Sequence, residues 1–228
     1  MTTTVRAAII DLDGTLVDTL GDFVVAINAT LAELGLGSVD RAFLERTVGK
    51  GSEHLIRTTL AQFGAQLGAN AAHAMYDTAW AAYQRHYLAV NGLHSSVYPG
   101  AVEGLERLRA QGIKLACLTN KPTAFARPLL ASKRLDGFFA VVHGGDAFER
   151  KKPDPLPLVK TCEALGVPPE HTLMVGDSSN DARAARAAGC PVLLVSYGYN
   201  HGEPVDAVDC DGVIERLDRI ELKRDQLL

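Results

Sequence analysis

Carboxylates cluster where polar residues interrupt two of the apolar runs in this chain. One cluster is Asp11-Leu12-Asp13-Gly14-Thr15, directly after the run 5–10, and the other is Gly176-Asp177-Ser178-Ser179-Asn180-Asp181, directly after the run 172–175. In extended backbone, residues two apart point the same way, so Asp11 and Asp13 leave the strand on one side, and Gly14 permits an immediate turn. Two like charges about 4 Å apart repel by roughly 4 kcal/mol at an effective dielectric near 20, so ionised carboxylates converging from both clusters need a cation. With oxygen ligands and no His or Cys nearby in sequence, a hard ion is selected, and Mg²⁺ fits best.

Two further segments supply the opposite polarity. Thr119-Asn120-Lys121 follows the run 114–118 and offers a hydroxyl and an amide. A helix starting near Pro122 adds free N–H groups suited to a phosphate. Lys152, in Lys151-Lys152-Pro153-Asp154-Pro155, precedes another expected helix and can neutralise both a carboxylate and a phosphoryl oxygen. Read singly, Asp13 and Asp181 also suit turn or helix caps, and Thr119 suits a strand-end hydrogen bond.

The elements that must position these residues follow from periodicity. Short apolar runs at 5–10, 114–118, 138–142, 172–175 and 192–195 alternate with helical patterns, which predicts a doubly wound α/β fold with a parallel sheet. In such sheets ligands bind at the carboxyl ends of strands, where all four polar segments fall. The first crossover is far longer than the rest. Within it Phe23, Ile27, Leu31 and Leu34 recur at helical spacing up to Gly35, and a second helical pattern over 71–90 carries Met75, Trp80, Tyr83 and Tyr87 before Gly92. Those aromatic residues are read as packing. The crossover is therefore an inserted all-helical cap, with the core at 1–16 and 93–228 and the cap at 17–92.

Composition narrows the functional classes. The 228 residues are 47% hydrophobic and 22% charged, without an apolar run near the roughly 20 residues that span a bilayer. The apolar stretch near the amino end is too short for a signal peptide, so a soluble, cytoplasmic protein is expected. A net charge of −4 without a basic patch argues against nucleic acid and for a small phosphorylated ligand. Cys117, Cys162, Cys190 and Cys210 form no metal or disulfide pattern. The oligomeric state is left open between monomer and homodimer.

The four polar segments, in this order at strand ends, resemble the signature motifs of the haloacid dehalogenase superfamily, and the helical insertion resembles its first-position cap. That resemblance spans essentially the whole chain and implies a Mg²⁺-dependent phosphomonoester hydrolase. Asp11 is then the nucleophile, and Asp13 is the proton donor to the leaving group and the base for water. Thr119 and Asn120 hold phosphoryl oxygens, and Lys152 offsets charge. The implied metal ligands are Asp11, the Asp13 main-chain carbonyl and Asp177, with Asp181 either ligating directly or standing one step behind. Asp13 argues against dehalogenation, which has no alkoxide to protonate.

Asp11 to Leu20, Thr119-Asn120-Lys121-Pro122 and Ser196-Tyr197-Gly198-Tyr199-Asn200-His201-Gly202 are similar to the bacterial phosphoglycolate phosphatase subfamily. The same likeness at Val48-Gly49-Lys50-Gly51 implies a tight loop whose Lys50 ammonium and Gly51 backbone meet a substrate carboxylate. A phosphatase for another small ester, or an isomerase resembling β-phosphoglucomutase, uses the same core residues, because cap side chains select the substrate. His143 is read as a surface or packing residue. The cap is expected to hinge near 17–20 and 91–95.

Overall fold

The computed structural model describes residues 5–64 and 73–222. Its centre is β1 (Ala7–Ile10), every residue of which is buried. Parallel neighbours lie on both sides, β4 (Lys114–Leu118) and β6 (Thr172–Gly176), with Ala7 opposite both Lys114 and Thr172. The sheet continues through β5 (Val141–His143), β7 (Val192–Val195) and β8 (Gly212–Ile214) in the order β5-β4-β1-β6-β7-β8, parallel throughout. Strands covered on both faces read as continuous apolar runs, which is why the central ones are legible in the sequence.

One expected strand is displaced. The run 138–142 begins as a 3₁₀ turn, Asp136–Phe138, and the ladder forms only where Ala140 N–H reaches the Leu115 carbonyl at 2.9 Å. The edge strand β8 carries too short and too exposed a pattern to be read from sequence.

The long crossover is helical. It holds α1 (Leu20–Glu33), α2 (Arg41–Thr47), α3 (Ser52–Gln62) and α4 (Tyr76–Val90). The first half-turn or so of the helical pattern expected over 71–90 lies partly outside the described residues. These helices share a core of their own, in which Leu20, Ile27, Leu31, Leu44, Leu55, Tyr83 and Tyr87 are buried with Phe125 and Tyr199 from the rest of the chain. Burying each such side chain contributes about 1.5–3 kcal/mol before the entropy cost of ordering it. Its two ends meet at a small antiparallel pair absent from the sequence reading, β2 (Val17–Asp18) with β3 (Ser96–Val97). The buried Asp22 carboxylate fastens that junction by accepting the N–H groups of Gly92 and His94 at 2.8 and 2.7 Å.

The remaining helices, α5 (Ala101–Ala110), α6 (Thr123–Ser132), α7 (Leu156–Leu165) and α8 (Ser179–Ala188), cover the two faces of the sheet. Separate apolar clusters form on those faces, one around Ile10, Leu105 and Leu129 and the other around Ile9, Leu158 and Ala185. Among the described residues no helix is long and apolar enough to cross a membrane.

Candidate active site

β1 and β6 are adjacent, with Ile10 opposite Val175, so the chain leaves both strands at one place and brings the two acidic segments together. One ligand oxygen from each of Asp11, Asp177 and Asp181 falls within 4.8 Å of the others, and all three residues are buried. Lys152 enters from the loop before α7. Its Nζ lies 2.6 Å from Asp181 Oδ1 and 3.0 Å from Asp11 Oδ1, and it donates to the Leu118 carbonyl at 2.9 Å. Asp11 Oδ1 has this ion-pair neighbour but no aligned hydrogen bond, a demanding state for a buried oxygen.

The electrostatics follow from that crowding. Burial pushes the Asp11 carboxyl up to about 7; Lys152 opposes the shift, and Asp181 and Asp13 reinforce it. Burial, then Asp181 and Asp11, hold Asp177 well above the usual carboxylate range. Burial works against the Lys152 charge, yet Asp11 and Asp181 keep its ammonium above the ordinary lysine value. With all three carboxylates ionised, as cation ligands must be, one ammonium would leave two negative charges unbalanced, so a divalent cation with oxygen ligands fits this donor set.

Asp181 also belongs to its helix. Its Oδ2 accepts from Ser178 N–H at 3.1 Å, Ser178 Oγ at 2.8 Å and Asp177 N–H at 3.3 Å, which completes a capping box at the start of α8. The cap and the charge cluster are thus the same residue. Close packing against this pair demands glycine. A Cβ on Gly14, whose φ is +83°, would lie 2.4 Å from Asp177 Oδ2, and one on Gly198 would lie 2.1 Å from Asp177 Cβ.

Asp13 stands apart from the three-carboxylate cluster. Its Oδ1 accepts the Thr19 hydroxyl at 2.7 Å, and both its oxygens face Lys121 Nζ at 3.0 and 3.1 Å. Lys121 is a residue to which sequence reasoning gave no role. Its ammonium is buried, donates to Tyr87 Oη and sits 4.6 Å from the ring centres of both Phe23 and Tyr87. The only sequence signal was its place directly after Thr119-Asn120. Tyr87, read as packing, does pack, but its hydroxyl also reaches the site.

A narrow cavity joins these groups, with Asp11, Asp13, Thr119, Asn120 and Lys121 on one wall and Phe23, Val48, Gly49, Gly51, Ser52 and Leu55 on the other. The buried Thr119 hydroxyl accepts the Lys121 N–H at 3.2 Å. Asn120 spends its amide hydrogens on the carbonyls of Gly49 and Lys152, at 3.0 and 2.8 Å. Gly51 lines the cavity with φ +91°, whereas Lys50 is exposed. His143 pairs with Thr161 Oγ1 at 3.0 Å and meets the Phe148 ring edge-on, away from the carboxylates.

A family model described as Haloacid dehalogenase-like hydrolase matches residues 8–195, a span that includes every carboxylate and lysine of this cluster. The chain belongs to that family. Within this hydrolase family, a protein named phosphoglycolate phosphatase from Thiobacillus denitrificans is 42% identical over 213 residues, covering 93% of this chain and 92% of the relative. A protein of the same name from Cupriavidus necator is 42% identical over 216 residues, covering 94% and 90%. Among solved structures, a predicted phosphoglycolate phosphatase from Haemophilus somnus superimposes with a TM-score of 0.89 at 31% identity, covering 96% of this chain and 97% of that one. The hydrolase fold, with its six-stranded parallel sheet, is therefore shared along nearly the full chain.

Proposed function

We propose that this hydrolase cleaves 2-phosphoglycolate to glycolate and phosphate through a phosphate ester on Asp11. The observation that carries the reading is the Asp11 carboxylate itself, buried beside Lys152 at 3.0 Å and opening on the cavity that Thr119 and Asn120 line. In the first step an Asp11 oxygen bonds to phosphorus, the phosphorus–ester oxygen bond breaks, and Asp13 transfers a proton to the departing alkoxide. In the second, water attacks phosphorus, gives its proton to Asp13, and the bond to Asp11 breaks, which restores the carboxylate. Lys152 and the Thr119 hydroxyl stabilise the phosphoryl oxygens.

Mg²⁺ is the proposed cofactor, held by Asp11, Asp177 and the Asp13 main-chain carbonyl. Bound there, it offsets carboxylate charge and polarises the phosphoryl group. Both Asp181 oxygens are already engaged, by Lys152 and by the α8 cap, which favours Asp181 as the residue that holds Lys152. The residues 17–92 are proposed to act as a cap over a core of 1–16 and 93–228, hinging at the junction that Asp22 fastens. The Gly51 backbone is proposed to face the substrate carboxylate, with Lys50 reaching it only if the loop rearranges from its exposed position.

The substrate names of the relatives support 2-phosphoglycolate over other small esters. A panel of phosphomonoesters ranked by kcat/KM, with and without Mg²⁺, tests the reading. Preference for 2-phosphoglycolate and loss of turnover in EDTA are expected. Equal turnover in EDTA removes the metal, and a sugar phosphate at the head of the ranking removes the substrate.

A further inference from the structure

The segment 197–201, singled out by its sequence pattern, has no part in the chemistry above, yet it reaches the Asp11–Thr15 loop, the start of α8 and the cavity's far wall. Tyr197 Oη donates to the Thr15 carbonyl at 2.8 Å, and Asn200 Oδ1 accepts Ser179 N–H at 2.9 Å. His201 Nδ1 lies 3.0 Å from the Val48 carbonyl on the cavity's far wall. The centre of the segment is Tyr199, 7% exposed, whose ring packs in the core of the helical layer. A buried tyrosine hydroxyl needs partners, and this one has three. It accepts the N–H groups of Thr19 and Leu20 at 2.8 and 3.1 Å and donates to Asp18 Oδ1 at 2.8 Å. The same residue's N–H donates to Asp177 Oδ2 at 2.7 Å.

Thr19 is the residue whose hydroxyl donates to Asp13 Oδ1 at 2.7 Å. Its side chain is aimed by its own backbone, whose N–H is held by a phenol from a residue 180 positions away and whose carbonyl accepts the Phe23 N–H at 3.2 Å in the first turn of α1. We infer that Tyr199 is a positioning residue for Asp13, acting through Thr19, so that the carboxylate takes its proton-transfer orientation only when the start of α1 is docked on the Tyr199 hydroxyl. This rests on Asp13 being the proton donor and acceptor. The Asp13 backbone is bridged to Val17 of the entry strand, but the Asp13 carboxylate is reached from that segment by the Thr19 hydroxyl, and its other partner, Lys121, is tied to α4 through Tyr87. An oriented carboxylate contributes to catalysis only when it reaches the transferred proton, and small misplacements are enough to remove much of that contribution.

The test is a double-mutant cycle on the full chain at saturating Mg²⁺. Tyr199→Phe keeps the ring and the N–H to Asp177 but removes the hydroxyl, and Thr19→Val removes the bond to Asp13. Each is expected to lower kcat by roughly tenfold or more, with KM and the Mg²⁺ activation constant within about twofold of the parent. Thr19→Ser restores the hydroxyl and should recover kcat. Because both substitutions cut one relay, the double variant should be no slower than the slower single variant. Multiplying losses, or an undiminished kcat in Tyr199→Phe, would overturn the inference. Should Tyr199→Phe fail to fold, by its thermal unfolding profile, Asp18→Ala removes the acceptor of the same hydroxyl and must lower kcat in its place. Asp13→Asn separates the two levels. If it keeps full turnover, the role of Asp13 itself falls; if it is inactive while the cycle is additive, only the relay falls.

Discussion

Lys121 Nζ lies 3.0 and 3.1 Å from the two carboxylate oxygens of Asp13, and the paired side chains are 1% and 9% exposed. Removing one partner of a buried ion pair strands the other charge, at a cost of about 3–5 kcal/mol. Lys121→Met is therefore expected to lower the urea midpoint substantially and to reduce kcat. Lys121→Met combined with Asp13→Asn should regain part of the stability and none of the activity. Equal midpoints for Lys121→Met and the parent protein would show that the pair is not desolvated.

The Asp11 carboxyl, raised by burial to about 7, makes the metal-free protein's stability depend on pH. A raised folded-state value means that the folded protein binds a proton the unfolded chain releases above about 4. The resulting stabilisation is complete below about pH 4 and is lost as pH rises through 7, by at most about 4 kcal/mol from this group. Asp177, also raised, acts with the same sign. Urea unfolding in EDTA from pH 5 to 8 should show a falling midpoint, and added Mg²⁺ should flatten the slope. A midpoint that rises across that range would contradict the desolvated cluster.

Asp11→Asn should move activity and stability in opposite directions. The amide cannot form the phosphate ester, so kcat is expected to fall at least about a thousandfold. The same change removes a desolvated charge from a site that already holds Asp177 and Asp181, so the metal-free variant should unfold at higher urea than the parent at pH 8. Phosphate release and unfolding curves on one preparation check both halves.

Gly198→Ala tests the packing behind the cluster. Its new methyl would lie 2.1 Å from Asp177 Cβ, so the carboxylate must shift. The Mg²⁺ concentration for half-maximal activity is expected to rise by at least about tenfold. Saturating Mg²⁺ should restore much of kcat, and an unchanged Mg²⁺ dependence would mean that Asp177 does not hold the ion.

Residue order alone was enough for the parallel sheet, the helical insertion and the acidic strand ends, because these depend on short-range regularities. A strand buried on both faces is apolar along its buried length, as 7–10 and 173–175 are, and a helix repeats its apolar face as Phe23, Ile27 and Leu31 do. The pairing of Asp11 with Asp177 was foreseeable as soon as their strands were taken to be neighbours. Contacts with no local signature were not. Nothing in the surroundings of Lys121 announces that it turns toward Asp13, 108 positions earlier, and the Tyr199 hydroxyl meets Thr19 across 180 positions. Those partners are set by how the helical layer seats against the sheet, a matter of strand order and packing that no segment of chain carries by itself.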